Sequence, residues 1–446
     1  MKVLLVKPAL GPPTIAAGEV TELEPLELEY LAAALRDHDV ELVDLRYDQD
    51  ILPALHRFQP DVVGVTALSV QVYNALAILR TVRQLDDRII TVVGGHHATL
   101  LPMDFQLPGL WYRRNGIFTH TGARNDIMRI DELPLPDRRI TQRYRHHYIH
   151  FWWRPAGLMR ASAGCQYRCA YCPIWKAAGG RWRYRDPARV AEELAGISED
   201  FVYFADDNMF FDREWMGALA RAIREHGIRK EYFLFSRADA VVKCRDMLPE
   251  WAELGLRQVF LGLEAADVET LKPLNKRTKA ATNEEAVRLL MSAGIDPLAS
   301  FMVFPDFSAD DFERLYDYVE RLGVYYCEFS ILTPAPGSDL YHRSREQLTT
   351  SDYRYFDYMH PVLPTRLGER EFFRQLARLY WRTYSPRRAI RVRPSTPPPT
   401  TFATLARNLW VGLRMYRRIR NGHRTMAPSP PSSPAGHRVE ADAQVA

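Results

Sequence analysis

The sequence predicts an α/β protein with two units, an N-terminal doubly wound (Rossmann-like) domain followed by a partial (β/α)6 barrel. Two observations lead to this prediction. Short apolar runs alternate with amphipathic helical segments along the first hundred residues, and six further strands separated by helical segments follow between residues 158 and 332. Parallel strands of this kind carry chemistry at their C-terminal ends, so functional residues are expected there.

The N-terminal domain is expected to cover residues 1–106. Its predicted strands are Val3–Val6, Val40–Leu45, Asp61–Thr66 and Ile89–Val93, with helices at 26–36, 51–58 and 70–84. Residues 107–150 then contain turn chemistry, including Arg114-Asn115-Gly116 between two apolar runs. We interpret this stretch as a connector with one hairpin.

The barrel is expected at residues 151–385. Its strands are predicted near Leu158–Ala161 and at Phe201–Phe204, Tyr232–Phe235, Gln258–Gly262, Leu298–Val303 and Tyr326–Leu332, with helices at 186–196, 213–226, 246–254, 282–293 and 308–322. Residues 386–446 are basic and rich in proline, and runs such as 394–399 and 427–434 cannot bury a core. A partly disordered tail is therefore predicted there.

Composition excludes several classes of protein. The 446 residues include 59 Lys and Arg against 55 Asp and Glu, so the formal charge of +4 gives no indication of a nucleic-acid partner. Five cysteines are too few for a disulfide scaffold. The start of the chain has too short an apolar run for a signal peptide, and no stretch is long enough for a membrane span. A cytoplasmic location is expected.

Three cysteines form the most informative motif. Cys165, Cys169 and Cys172 are spaced C-x3-C-x2-C directly after the first predicted barrel strand, with Tyr171 before the last of them. A closed zinc site takes four ligands, whereas three thiolates on a [4Fe-4S] cube leave one iron free for a substrate. The alternatives are a zinc site completed by a nearby histidine and three incidental cysteines.

This segment resembles the cluster-binding loop of the radical S-adenosylmethionine (SAM) superfamily, and the resemblance extends over residues 158–385. It implies that Cys165, Cys169 and Cys172 bind a [4Fe-4S] cluster whose free iron chelates SAM. It also implies that one electron, from a reductase with flavodoxin or from ferredoxin, cleaves SAM to a 5'-deoxyadenosyl radical.

Further motifs at the ends of the strands match the same superfamily and imply contacts to SAM. The candidate SAM-binding residues are Tyr171, Asp206, Asp207, Asn208, Ser236, Arg237 and Glu264. Arg237 suits the SAM carboxylate, and Glu264 suits its ribose or amino group. The alternative for each charged residue is a salt bridge at the barrel rim. Asn275-Lys276-Arg277 and the segment 333–337 resemble motifs of one branch of the superfamily, although their Pro and Gly also suit simple turns.

The N-terminal domain resembles the cobalamin-binding domain of the cobalamin-dependent radical SAM enzymes. The matching pieces lie at 24–28, 66–69 and 94–99, and they imply that Ser69, Gly94 and Gly95 approach cobalamin. The D-x-H-x-x-G motif of proteins with a histidine ligand to cobalt is absent, which implies binding without such a histidine. Compared with the family, the domain is truncated by one β/α unit. A flavodoxin-like domain with another ligand, or none, would carry similar turns.

Within this branch, four segments of the chain resemble those of the hopanoid C-3 methylases, namely 204–208, 275–277, 349–353 and 363–366. The resemblance implies cobalamin-dependent methylation of an unactivated carbon in a hopanoid-like lipid or a natural product. The alternatives are a non-methylating radical SAM cyclase, oxidase or rearrangement enzyme acting on a tetrapyrrole or natural product, and an iron-sulfur sensor or scaffold.

Residues 401–420 contain five arginines and no acidic residue, with apolar residues at helical spacing. This pattern suits a basic amphipathic helix in peripheral contact with a membrane. A helix docked on the barrel and a solvated basic tail are the alternatives.

Overall fold

The computed structural model describes residues 1–15, 20–101, 111–114, 117–120, 130–265, 272–276, 278–399 and 401–426. The strands in this part of the chain are β1 (Lys2–Lys7), β2 (Thr21–Glu22), β3 (Asp39–Asp44), β4 (Val62–Thr66), β5 (Ile90–Gly94), β6 (Trp111–Arg114), β7 (Ile117–His120), β8 (Ile149–His150), β9 (Gly157–Met159), β10 (Ser162–Ala163), β11 (Arg183–Tyr184), β12 (Phe201–Phe204), β13 (Glu231–Arg237), β14 (Leu256–Glu264), β15 (Asp296–Val303) and β16 (Tyr326–Ile331).

The helices are α1 (Leu26–Ala34), α2 (Leu52–Phe58), α3 (Val72–Leu85), α4 (His96–Leu100), α5 (Ile174–Ala177), α6 (Pro187–Gly196), α7 (Arg213–Glu225), α8 (Ala238–Lys243), α9 (Leu248–Leu254), α10 (Ala280–Ser292), α11 (Ala309–Leu322), α12 (Asp339–Arg343), α13 (Glu369–Thr383), α14 (Pro386–Arg391) and α15 (Phe402–Arg420). None of the helices in the described part of the chain is long and apolar enough to span a bilayer.

The N-terminal domain is a parallel sheet in the order β3-β1-β4-β5. Alternate residues of β1 face opposite sides, because Leu4 and Val6 pack with α2 and α3 while Val3 and Leu5 pack with α1. The predicted doubly wound arrangement is confirmed, and the four strands lie within one or two residues of their predicted positions. No fifth strand joins this sheet among the described residues.

The connector is more than a link between domains. The predicted hairpin around Arg114-Asn115-Gly116 is confirmed as the antiparallel pair β6-β7. A 3₁₀-helical segment, Arg138–His147, then packs Tyr144 against the same face of the sheet as α1. Apolar residues of the connector therefore complete the core of the short N-terminal domain.

The barrel sheet contains six parallel strands in the order β9-β12-β13-β14-β15-β16. The predicted partial barrel is confirmed. Aromatic rings fill its lower interior, where Tyr203 stacks on Phe233 at 4.5 Å and Phe235 lies 4.8 Å from Phe260. The C-terminal strand ends are lined instead by polar residues, and the cysteine loop crosses this end.

Of the basic, proline-rich tail predicted at 386–446, residues 386–399 and 401–426 contain two helices, α14 and α15, and dock on the barrel. Ile419 of α15 is buried beside Phe373 of α13, and Gly422 lies so close to the Phe373 ring that a Cβ atom would be 2.3 Å from it. The proline-rich stretch is also held, since the carboxylate of Asp296 accepts hydrogen bonds from the backbone N–H groups of Ser395 and Thr396, both 2.7 Å. Proline prevents regular structure here but does not prevent docking. Residues 427–446 lie outside the described part of the chain.

A buried group of charged side chains joins the two domains. Arg138 donates hydrogen bonds to Glu24 (2.6 Å), Glu29 (3.2 Å) and Glu193 (2.7 Å), and Arg145 donates to Glu24 (2.5 Å). We call this group, which also has ion pairs to the barrel, the interdomain charge network; its members are Glu24, Glu29, Arg138, Arg145, Arg185, Glu193 and Glu199. It fixes the end of the N-terminal sheet relative to the cysteine loop.

Candidate active site

The cysteine loop leaves the barrel through a sharp turn at Gly164. This residue has φ +91°, and a Cβ atom there would lie 2.1 Å from the carbonyl oxygen of Arg181, so only glycine fits. The short pair β10-β11 frames the loop on both sides. Cys165, Cys169 and Cys172 are all free thiols.

Two carboxylates at the end of β12 hold the start of this loop. Asp206 is buried and accepts hydrogen bonds from the backbone N–H groups of Ala161 (3.1 Å) and Ser162 and from the Ser162 hydroxyl (2.5 Å). Burial raises the pKa of Asp206 to about 6. Asp207 accepts a hydrogen bond from the backbone N–H of Gly164 at 2.8 Å. Both predicted SAM-binding carboxylates therefore have a partner in the protein.

Asn208, Ser236 and Arg237 meet at the ends of β12 and β13. The Oδ1 atom of Asn208 accepts hydrogen bonds from the Ser236 hydroxyl (3.2 Å) and the Arg237 N–H (3.0 Å). Its Nδ2 atom is buried and finds no hydrogen-bond partner among the described residues. A buried donor without a partner is costly, so this amide suits a polar ligand.

Arg237 lies beside the cysteine loop in a fixed position. Asp239 accepts hydrogen bonds from its Nε (2.9 Å) and Nη2 (3.4 Å), and the guanidinium lies 3.7 Å from the centre of the Tyr167 ring. Its Nη1 atom is 3.9 Å from the Sγ atom of Cys169. The positive charge predicted to contact SAM is therefore next to a predicted cluster ligand.

Tyr171 and Glu264 are in direct contact. The Tyr171 hydroxyl donates to Glu264 Oε1 at 3.1 Å, and Lys276 forms an ion pair with the same carboxylate. Burial, followed by the charge of Glu264, raises the pKa of Tyr171 well above its usual value. Glu264 has φ +65° at an irregularity in the β14-β15 register, a strained geometry that is common at functional sites.

The 275–277 motif explains part of this geometry. The Asn275 side chain donates to the carbonyl oxygen of Arg168 at 2.8 Å, and Lys276 donates to the carbonyl oxygen of Gly262 at 2.9 Å. The motif thus holds both the cysteine loop and Glu264. Arg277 lies outside the described residues.

The three cysteine thiols are the candidate ligands of the cluster. Among the described residues, no group of three or more His, Cys, Asp and Glu side chains is arranged to hold one metal ion. A cube needs no such convergence because each thiolate binds a different iron. Burial raises the pKa of Cys165 and raises that of Cys172 to about 12, so ligation has to displace their protons.

The C-terminal edge of the N-terminal sheet faces this region. Gly94 is exposed and has no atom within 4 Å of an added Cβ, so a ligand can approach its backbone. Gly95 has a different role, because its φ of +96° and the Ala67 backbone 2.7 Å from an added Cβ require glycine for the turn itself. The hydroxyl of Ser69 is hydrogen-bonded to Nδ1 of His97 at 3.0 Å.

Comparison with known proteins identifies both domains. Residues 159–319 match the model of the radical SAM superfamily, and residues 14–114 match that of the B12 binding domain. The hopanoid C-3 methylase of Methylococcus capsulatus is 31% identical over 412 residues, which cover 85% of this chain and 79% of that protein. The chain belongs to the cobalamin-dependent radical SAM enzymes.

Solved structures show the same fold as this radical SAM enzyme. The cobalamin-dependent radical enzyme OxsB with aqua-cobalamin and SAM bound has a TM-score of 0.68 at 16% identity, covering 93% of this chain and 72% of that chain. The methyltransferase TsrM of Kitasatospora setae, with cobalamin and a [4Fe-4S] cluster bound, has a TM-score of 0.64 at 17% identity. The match covers 94% of this chain and 99% of that chain. The predicted enzyme class and its three cofactors, a [4Fe-4S] cluster, SAM and cobalamin, are confirmed.

The residues present fit these cofactors. Three free thiols lie on one loop, Asn208 offers an unpaired buried amide, and Gly94 leaves open space at the sheet edge. Sequence reasoning missed two other residues near this region, Glu328 and Tyr358. Glu328 could have been found, since it is the one acidic residue in the apolar strand Tyr326–Ile331. No sequence pattern distinguished Tyr358.

Proposed function

We propose that this enzyme methylates an unactivated carbon of a polycyclic, hopanoid-like lipid. The observation that carries the proposal is the pairing of a three-cysteine loop on an open barrel with a B12 binding domain, in a chain that is similar over most of its length to a hopanoid C-3 methylase. When bound, the reduced cluster supplies the electron for SAM cleavage and cobalamin supplies the methyl carrier.

The roles of individual residues follow from their contacts. Cys165, Cys169 and Cys172 bind the cluster, and Asn208 donates its unpaired Nδ2 hydrogen to SAM. The positive charge of Arg237 attracts the SAM carboxylate. The hydrogen bond from its Nε atom to Asp239 fixes the guanidinium beside Cys169, so that Nη1 points towards the cysteine loop.

The remaining candidates divide into two groups. Asp206 and Asp207 act as positioning residues for the cysteine loop, since each accepts hydrogen bonds from its backbone. Tyr171, Glu264 and Lys276 form one wall of the site. Gly94 borders cobalamin, while Gly95 and Ser69 shape the turn beneath it.

A lipid substrate would be reached from a membrane surface through α15. Leu409 and Trp410 are 65% and 55% exposed, and Trp381 of α13 is 53% exposed and lies 5.4 Å from the Tyr416 ring. Arginines flank these apolar side chains, and residues 401–420 contain no acidic residue. This combination favours a peripheral contact with anionic lipid.

Vesicle flotation tests the membrane contact. The wild-type chain is expected to float with vesicles containing phosphatidylglycerol more than with pure phosphatidylcholine, and Leu409→Ser with Trp410→Ser is expected to reduce flotation. Equal flotation of the wild type and the double variant would show that α15 is not the contact.

The methylation itself is tested with methyl-labelled SAM and a hopane lipid under anaerobic reducing conditions. The proposal expects both 5'-deoxyadenosine and a lipid heavier by one methylene. Formation of 5'-deoxyadenosine without label in any lipid would favour the non-methylating alternative. Absence of both products would contradict the enzyme assignment. The same assay, with ferredoxin or with flavodoxin and its reductase in place of a chemical reductant, identifies the electron donor.

A further inference from the structure

Glu328 of β16 is a carboxyl group inside the barrel to which the proposed reaction gives no role. Its neighbours Cys327 and Phe329 are buried on the outer face of the sheet, so Glu328 faces inward, in register with Ser300 of β15. The side chain is exposed to solvent, yet burial, followed by the charge of Glu264, raises its pKa to about 7. A group that is both accessible and enclosed lines an internal space.

Glu328 makes no hydrogen bond or ion pair within the described residues. An accessible carboxyl group that no protein group occupies can accept a hydrogen bond from a ligand that enters the space. Glu264, whose charge acts on Glu328, is itself paired with Lys276.

Tyr358 lies at the cluster end of the same strand. Its carbonyl oxygen accepts a hydrogen bond from the backbone N–H of Ile331 at 2.7 Å, and its φ of +62° is a strained conformation for a tyrosine. Its side chain is 46% exposed, yet burial, with a smaller effect from Cys172, raises the pKa of Tyr358 to about 12. The hydrogen bond from Ile331 places Tyr358 at the C-terminal end of β16.

Aromatic rings form the rest of the wall. Tyr203, Phe235 and Phe260 are half-buried on the inner face, with ring centres 5.5 Å apart for the first pair and 4.8 Å for the second. The charge of Glu328 adds to burial in raising the pKa of Tyr203. The space is thus mainly apolar, with one carboxyl group.

We propose that this space, the lumen pocket, binds the substrate: Tyr203, Phe235 and Phe260 hold an apolar skeleton, and Glu328 accepts a hydrogen bond from a hydroxyl or amino group. The inference rests on the proposed function and narrows its substrate class. It favours a polycyclic molecule with a hydrogen-bond donor over a pure hydrocarbon.

Four compact polycyclic probes test this, namely 1-adamantanol, 1-aminoadamantane, 1-methoxyadamantane and 1-adamantanecarboxylate. Their affinities are measured by calorimetry on the full-length, anaerobically reconstituted enzyme. The alcohol or the amine is expected to bind about tenfold more tightly than the methyl ether, because a hydrogen bond to a carboxylate is lost in the ether. The carboxylate is expected to bind most weakly. If the alcohol binds more tightly than the amine, the pocket favours a substrate hydroxyl group; if the amine binds more tightly, it favours an amino group.

Glu328→Gln is expected to reduce the preference for the alcohol or the amine over the methyl ether about tenfold. Phe260→Trp, which fills the pocket without touching Glu328, is expected to weaken all four probes together. Glu225→Gln, an exposed change on α7, is the matched control and is expected to bind like the wild type. If no probe binds the wild type, or if the preference survives in Glu328→Gln, the lumen pocket is wrong.

Formation of 5'-deoxyadenosine from SAM without any probe separates the two proposals. If the wild type forms 5'-deoxyadenosine and Glu328→Gln loses the preference for a hydrogen-bond donor, both proposals stand; if the wild type forms it and the preference survives in Glu328→Gln, the lumen pocket alone fails. If the wild type cleaves no SAM, the proposed function fails, whatever the probes do.

Discussion

Asp206 holds the start of the cysteine loop in place through hydrogen bonds to its backbone. Its buried carboxylate accepts hydrogen bonds from Ala161 and Ser162, four and three residues before the first cysteine of the loop. Replacing one of its accepting oxygens by an amide NH2 group would set a donor against these N–H and O–H donors and leave them without an acceptor.

Asp206→Asn is therefore expected to destabilise the protein by about 2 to 3 kcal/mol and to lower the iron bound per chain after reconstitution. Urea unfolding and iron analysis measure these two effects. Asp317→Asn, an exposed change on α11, serves as the control. Normal stability and iron content in Asp206→Asn would contradict this positioning role.

The cysteines provide the second prediction at the scale of single residues. Cys165→Ala, Cys169→Ala and Cys172→Ala are each expected to abolish 5'-deoxyadenosine formation, because each removes an iron ligand. Cys244→Ala is the matched control, since Cys244 is buried in the barrel core and its thiol donates to the carbonyl oxygen of Phe210 at 3.4 Å. Full SAM cleavage by any of the first three variants would exclude that thiol as a ligand.

At the scale of elements, the interdomain charge network joins α1, the connector and α6. Its three arginines face four glutamates, so one carboxyl group has no matching positive charge. Burial, followed by the charge of Glu24, raises the pKa of Glu29 to about 9, from an ordinary value of 4.5. Glu29 therefore keeps a proton in the folded protein.

This predicts a pH dependence with a definite sign. Below the ordinary pKa of Glu29 both the folded and unfolded states hold the proton. Between that value and about 9 only the folded state holds it, so the contribution of Glu29 to stability falls as the pH rises. Glu29→Gln removes this titration and keeps the hydrogen-bonding shape.

Glu29→Gln is thus expected to gain stability relative to the wild type at about pH 8 and to match it at about pH 4.5, as measured by urea unfolding. Glu225→Gln is expected to show no such difference. A stability difference for Glu29→Gln that does not change with pH would mean that Glu29 is not the proton-holding member of the network.

The elements themselves were largely predictable from the sequence, and their contacts were not. Periodicity gave the four N-terminal strands and six barrel strands because each buries a regular apolar pattern. It did not predict α13, whose Tyr380 hydroxyl donates to the carbonyl oxygen of Phe329 in the last strand at 3.0 Å. Long-range pairing of this kind leaves no local signal.

The same distinction holds for the site. Spacing pointed to the three cysteines as candidate ligands, and the strand ends pointed to Asn208, Arg237 and Glu264 as candidate SAM contacts, because such motifs are local in sequence. Spacing could not tell that Gly94 is open and Gly95 is packed, since that depends on the Ala67 backbone. The segment that holds Tyr358 joins the end of the last barrel strand through a hydrogen bond from Ile331 that only the folded chain forms.

At the scale of the whole molecule, two domains hold their functional ends towards each other. The interdomain charge network fixes their relative position, and the packing of Leu100 of α4 against Gly337, in the turn after β16, adds a second contact. A cofactor on Gly94 is thereby expected to face the cysteine loop across the gap. The short N-terminal sheet is expected to hold cobalamin because the connector completes its core.

The measurement that tests this account most directly is the metal content of the wild-type chain after anaerobic reconstitution with iron, sulfide and hydroxocobalamin, followed by desalting. The account predicts about four irons and about one cobalt per chain. Four irons without retained cobalt would contradict it, because the N-terminal domain would then not hold the methyl carrier that the proposed reaction requires.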